Sequence, residues 1–121
     1  MANSILSLLF ILAFLSSGKT GQGMVNPANG EMQEKTWCVA KPSASEAELA
    51  ANINYVCEQI GICKIIEKGG SCYFPPTKIN HASVVMNLYY QLMGRNYWNC
   101  DFRGTALRVT TNPSYRDCEY P

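Results

Sequence analysis

The sequence predicts a small, disulfide-rich α+β domain with two packed helices, a small antiparallel β-hairpin or sheet, and long loops. Three observations carry this expectation. All six cysteines fall between Cys38 and Cys118, behind an apolar leader. Two stretches repeat apolar residues at helical spacing behind capping residues. One stretch near the C-terminus alternates as a strand does.

The leader comes first. Residues 5–15 (ILSLLFILAFL) form an apolar run of signal-peptide length, too short for a stable membrane span. Small residues follow at Ser16, Ser17, Gly18, Gly21 and Gly23. A signal peptide over 1–23 is expected, with cleavage after Gly18 or Gly23. The run has no polar face and no cap, which argues against a buried core helix. Residues 24–36 are polar and without period, and read as a flexible tail. The module proper is expected over 37–121.

An even number of cysteines in a short secreted chain indicates a disulfide framework. Zinc is the competing reading, but its ligands usually come in close pairs, and the nearest cysteines here are Cys57 and Cys63. No metal or other cofactor is expected. Spacing alone leaves all 15 pairings of six cysteines open.

The first helix is announced by Pro42 and by two serines, each followed three positions later by a glutamate: Ser43 with Glu46, and Ser45 with Glu48. Either pair can form a capping box. Leu49, Ile53, Val56 and Ile60 then recur on one face, and Gly61 is placed to end the helix left-handed. Residues 68–76 (KGGSCYFPP) read as a loop. A second helix is expected to start between Thr77 and Asn80 and to close at Gly94. Its apolar residues wrap most of the way round, which implies burial on more than one side or an exposed aromatic face. Residues 106–111 (ALRVTT) alternate, 112–114 (NPS) signal a turn, and Tyr115 to Tyr120 are expected to return as the partner strand. Pro113 spoils a glycosylation sequon at Asn112. Such a domain has a thin core, so covalent bridges matter to it.

Charge points away from several partner classes. Loss of the first 23 residues removes Lys19 from the ten basic residues, leaving nine against nine acidic ones. A neutral chain without a basic run is a poor match for nucleic acid or an anionic membrane. Neither a membrane span nor a lipid-anchor signal is expected. Catalysis is not expected either. No motif singles out a pair of carboxylates for sugar hydrolysis, no G-x-S-x-G is present, and His81, in the first turn of its helix, reads as packing or capping. The aromatic load is heavy for so thin a core, with Tyr55, Tyr89, Tyr90, Tyr97, Trp98 and Phe102 among the rings. Exposed rings stack on the C–H faces of neutral sugars while amides and phenols take up the hydroxyls. Asn52, Asn54, Gln59, Asn87 and Gln91 supply amides on the same two helices.

The residues Trp37-Cys38-Val39-Ala40-Lys41-Pro42, Gly69-Gly70-Ser71-Cys72-Tyr73, Asn80-His81-Ala82-Ser83, Cys100-Asp101-Phe102 and Thr111-Asn112-Pro113-Ser114-Tyr115 resemble carbohydrate-binding module family 43. The resemblance runs through nearly all of the mature chain, and is strongest to the short, single-module pollen allergens of that family. It implies non-catalytic binding of β-1,3-glucans such as callose and laminarin at the plant cell wall. It implies pairing of Cys38 with Cys100, Cys57 with Cys63, and Cys72 with Cys118, and two helices packed at an angle beside a small sheet. The module often accompanies a β-1,3-glucanase domain, so a separate β-1,3-glucanase is an expected partner of a monomeric, secreted chain. Tyr97 and Trp98 depart from the smaller residues many members carry there. The expected sugar-facing set is Tyr55, Tyr89, Tyr90, Phe102 and Tyr115, with Asn87 and Gln91 as hydrogen-bonding partners. The alternative is an extracellular protein-interaction module in defence or signalling. Lipid carriage is a third reading, but plant lipid-transfer proteins typically use eight cysteines with adjacent Cys-Cys and Cys-x-Cys elements, absent here.

Overall fold

The computed structural model describes residues 34–121, together with the backbone of 25–26 and 31–32. The expected signal peptide over 1–23 lies outside the described residues, as does much of the segment 24–36. The chain divides into two units, residues 1–35 and 36–121. In the first, β1 (Val25–Asn26) pairs antiparallel with β2 (Glu31–Met32). The second unit holds the module: β3 (Trp37–Ala40), α1 (Glu46–Ile60), a 3₁₀ turn (Lys64–Ile66), α2 (Lys78–Leu92), a second 3₁₀ turn (Tyr97–Cys100) and β4 (Ala106–Val109).

Helix α1 takes Ser45 rather than Ser43 as its cap. The Glu48 amide donates to Ser45 Oγ at 3.1 Å and the Ser45 amide to Glu48 Oε1 at 2.8 Å, completing the capping box. Gly61 ends the helix at φ 65°, donating to the Cys57 carbonyl; only glycine adopts that conformation at little cost. Leu49 and Val56 are buried, with Ile53 packed beside them. In the loop that follows, Gly70 lies so close to the Ile65 carbonyl that any Cβ would collide with it.

Helix α2 starts at Thr77, whose hydroxyl accepts from the Asn80 amide. Every residue from Ala82 to Asn87 is buried, because α2 lies between α1 on one side and β3 on another. That is why its apolar residues do not confine themselves to one stripe. Two polar residues within this run lock the helix to the strand. The Ala40 amide donates to Ser83 Oγ at 2.9 Å and the Cys38 amide to Asn87 Oδ1 at 3.0 Å. The match is geometric: four residues of helix rise about 6 Å and two residues of strand about 6.6 Å. Residues i and i+4 of α2 therefore cover two successive outward amides of β3, closing an edge otherwise open to pairing.

Strands β3 and β4 form the antiparallel sheet of this unit, with Trp37 opposite Val109 and Ala40 opposite Ala106. This corrects the expected local hairpin. Tyr115 to Tyr120 does not return along β4; Tyr115 and Cys118 instead close on each other by two backbone hydrogen bonds, 2.9 and 2.8 Å. Two tethers pull the segment away. The Asn112 side chain captures the Ser114 amide, and Cys118 is bonded to Cys72.

The bridges are Cys38–Cys100, Cys57–Cys63 and Cys72–Cys118. Buried side chains gather in two clusters around two of them. Trp37, Val56, Val84, Val85 and Tyr120 surround Cys72 and Cys118; Leu49, Ala82, Met86 and Tyr90 surround Cys38 and Cys100. The Cys57–Cys63 bridge instead spans the exit turn of α1.

Candidate functional site

A groove of about 440 Å³ opens between α1, the C-terminal half of α2 and residues 98–105. Helix α1 contributes Glu48, Ala51, Asn52 and Tyr55, and α2 contributes Tyr89. Asn52 and Tyr55 are three apart and therefore share a helix face. The loop contributes Trp98, Asn99, Phe102, Arg103 and Thr105.

Three rings run in series through the groove. Tyr55 and Tyr89 meet edge to face at 5.8 Å between centroids, and Tyr89 and Phe102 at 5.5 Å. T-shaped contacts of this kind fix ring orientation without burying both faces. Tyr55 remains 47% exposed. Its hydroxyl lies 3.5 Å from that of Tyr89. That hydrogen bond, then burial, then the charge Tyr55 itself would carry, hold the Tyr89 phenol above its ordinary value. The Tyr89 phenol thus stays protonated at neutral pH, able to donate and accept.

The loop wall is unusual backbone. Phe102, Arg103 and Gly104 have φ of 49°, 56° and 79°, three left-handed residues in succession. Each non-glycine member costs about 1–2 kcal/mol, and such conformations persist only where the surroundings over-determine them. Here Thr105 does so. Its hydroxyl donates to the Phe102 carbonyl at 2.6 Å and accepts from Asn52 Nδ2 at 2.9 Å, while its amide donates to the Asp101 carbonyl at 3.1 Å. Its carbonyl accepts from the Lys41 amide at 2.8 Å. The turn is thereby tied to α1 and to the end of β3, and the adjacent Cys100 bridge anchors its start.

The expected sugar-facing residues separate into three groups. Tyr55, Tyr89 and Phe102 are brought together in the groove. Tyr90 and Asn87 are wholly buried in the core, which corrects their placement on a ligand surface. The Tyr90 hydroxyl bonds Thr36 Oγ1 at 2.6 Å, and Asn87 serves β3 as described, although its Nδ2 finds no partner among the described residues. Gln91 extends that structural network, donating to the Thr36 carbonyl and to Asn87 Oδ1. Tyr115 sits elsewhere, its hydroxyl donating to the Phe74 carbonyl at 2.5 Å with Asn80 Oδ1 3.0 Å away. His81 pairs a ring nitrogen with the Tyr73 carbonyl at 2.7 Å.

Sequence reasoning did not place Asn99, Arg103 and Thr105 in a site, and noted Asn52 and Trp98 without selecting them. The spacing of Asn52 before Tyr55 is a usable signal. Trp98 is marked as an aromatic where many members of the resembled family carry smaller residues, whereas nothing local marks Asn99, Arg103 and Thr105, which reach the groove through the folding of the loop.

The X8 domain family model matches residues 36–107. The chain is 48% identical over 106 residues to a glucan endo-1,3-beta-D-glucosidase of Olea europaea, covering 85% of this chain and 23% of that one. It is 45% identical over 87 residues to the major pollen allergen Ole e 10 of Olea europaea, covering 71% of each chain. Identity to plasmodesmata callose-binding protein 2 of Arabidopsis thaliana is 30% over 113 residues, covering 93% of this chain and 52% of that one. The chain thus spans less than a quarter of the glucosidase it resembles.

Proposed function

The chain belongs to the X8 domain family, and from that premise we propose that it is a secreted cell-wall module that binds β-1,3-glucan without cleaving it. The observation that carries this reading is the series of rings Tyr55, Tyr89 and Phe102, interleaved with Asn52, Arg103 and Thr105 along one open groove. Ring faces take the C–H faces of glucose residues, and the amide, guanidinium and hydroxyl groups take the sugar hydroxyls. Two of the relatives are named for a 1,3-β-linked glucan or callose, which supports this ligand.

The acids of the groove support holding rather than cutting. Hydrolysis needs two carboxylates flanking the scissile bond. Glu48 is the one acid among the lining residues, and its carboxylate already caps α1. A monomer acting beside a separate β-1,3-glucanase fits these features.

Affinity electrophoresis tests the reading. Migration should slow in gels containing laminarin and stay unchanged in gels containing a β-1,4-glucan, and Tyr55→Ala should reduce the slowing. Equal mobility in both gels would overturn it and favour the protein-interaction module.

A further inference from the structure

The groove does not end at its three rings. Trp98 lines it as well, from the 3₁₀ turn Tyr97–Cys100, and is 62% exposed. That turn is held at both ends. The Asn96 amide donates to Asn99 Oδ1 at 3.1 Å, and Cys100 is bridged to Cys38 in the core. Tyr97 and Trp98 meet edge to face, with centroids 5.1 Å apart and planes at 81°. A single T-shaped neighbour steadies an indole and leaves at least one of its faces uncovered. The side chain therefore contributes little to the core while standing fixed at the rim of an aromatic groove, with Asn99 lining the groove beside it.

Resting on the glucan-binding reading above, we infer that Trp98 forms an outer stacking subsite that engages a further residue of the same β-1,3-glucan chain. The occupant follows from continuity. Trp98 and the inner rings share one groove, so a chain lying on Tyr55, Tyr89 and Phe102 runs on to the indole if it is long enough. A short oligosaccharide is held by the inner rings alone; a longer one gains the indole face. Trp98 thus sets chain-length preference, and Tyr97 positions it.

The two tryptophans of the chain make the test direct, because Trp37 is buried and Trp98 exposed. Titration of the protein with laminarihexaose should shift Trp98 emission to the blue, and Trp98→Phe should bind hexaose without that shift. Trp98→Ala should weaken hexaose binding about tenfold while changing laminaritriose binding by less than about twofold. Tyr55→Ala should weaken both. Circular dichroism of Trp98→Ala should match the parent, since no core contact is removed. Equal binding of both sugars by Trp98→Ala and its parent overturns the subsite but leaves the glucan reading standing on Tyr55→Ala. An equal loss for both lengths overturns the chain-length role and moves Trp98 into the inner site. No binding of any laminari-oligosaccharide by the parent overturns both readings and leaves the Tyr97–Trp98 pair as a protein contact.

Discussion

Tyr90→Ala separates the core from the site, because Tyr89 and Tyr90 are neighbours in sequence with opposite duties. Tyr90 is 0% exposed and among the largest fully buried side chains. Removing such a ring leaves a cavity costing about 3–5 kcal/mol. The hydroxyl's bond to Thr36 contributes about 1 kcal/mol beyond that. In a domain of this size each kcal/mol moves the melting point by about 4–8 °C, so Tyr90→Ala should melt about 30 °C below the parent. Tyr90→Phe keeps the ring and should lose only about 4–8 °C. Differential scanning calorimetry reads both. Laminarin affinity, measured well below each melting point, should stay at the parental value for both variants, whereas Tyr55→Ala should lose affinity with little change in melting. A Tyr90→Phe variant that melts normally yet no longer binds laminarin would refute the core assignment. So would a Tyr90→Ala variant within about 3 °C of the parent.

The three bridges should differ in value. In the chain-entropy account, the closures of 62 and 46 residues contribute about 4 kcal/mol each, and the closure of 6 residues about 2 kcal/mol. Cys57→Ala/Cys63→Ala should therefore remain folded at a lower denaturant midpoint, with Cys72→Ala/Cys118→Ala losing roughly twice as much; equal losses would contradict this ranking. Alkaline stability should depend on Tyr120. Burial first, and the neighbouring Tyr115 second, push its phenol up. The unfolded phenol releases its proton near pH 10 while the folded one retains it, so this contribution is complete below about pH 10 and declines above it. Tyr120→Phe should flatten the fall in stability above that pH; identical slopes in urea titrations would count against it.

The local signals were legible because their physics is local. Ser45 and Glu48 satisfy backbone amides within one turn, Gly61 supplies a left-handed exit, and Thr77 caps its own helix. Even the burial of α2 on two sides shows in the spread of its apolar residues. What failed to show depended on partners distant in sequence. The alternation of Ala106 to Val109 announced a strand, but its partner lies at Trp37–Ala40 rather than past the next turn. Amides on the helices looked alike, yet Asn52 braces the groove wall and Asn87 braces β3.

The cysteines and capped helices determined from sequence alone a stapled α+β module, and family resemblance supplied the expected ligand. Only the tertiary structure decided which aromatics reach solvent. Neighbouring helical residues point about 100° apart, so on a helix packed on two sides the angle at which its neighbours dock sends Tyr90 inward and leaves Tyr89 on the groove. The rest of the site depends on the left-handed turn at Phe102–Gly104. That turn is held by Thr105, Asn52 and Lys41, residues that no sequence window around it contains together.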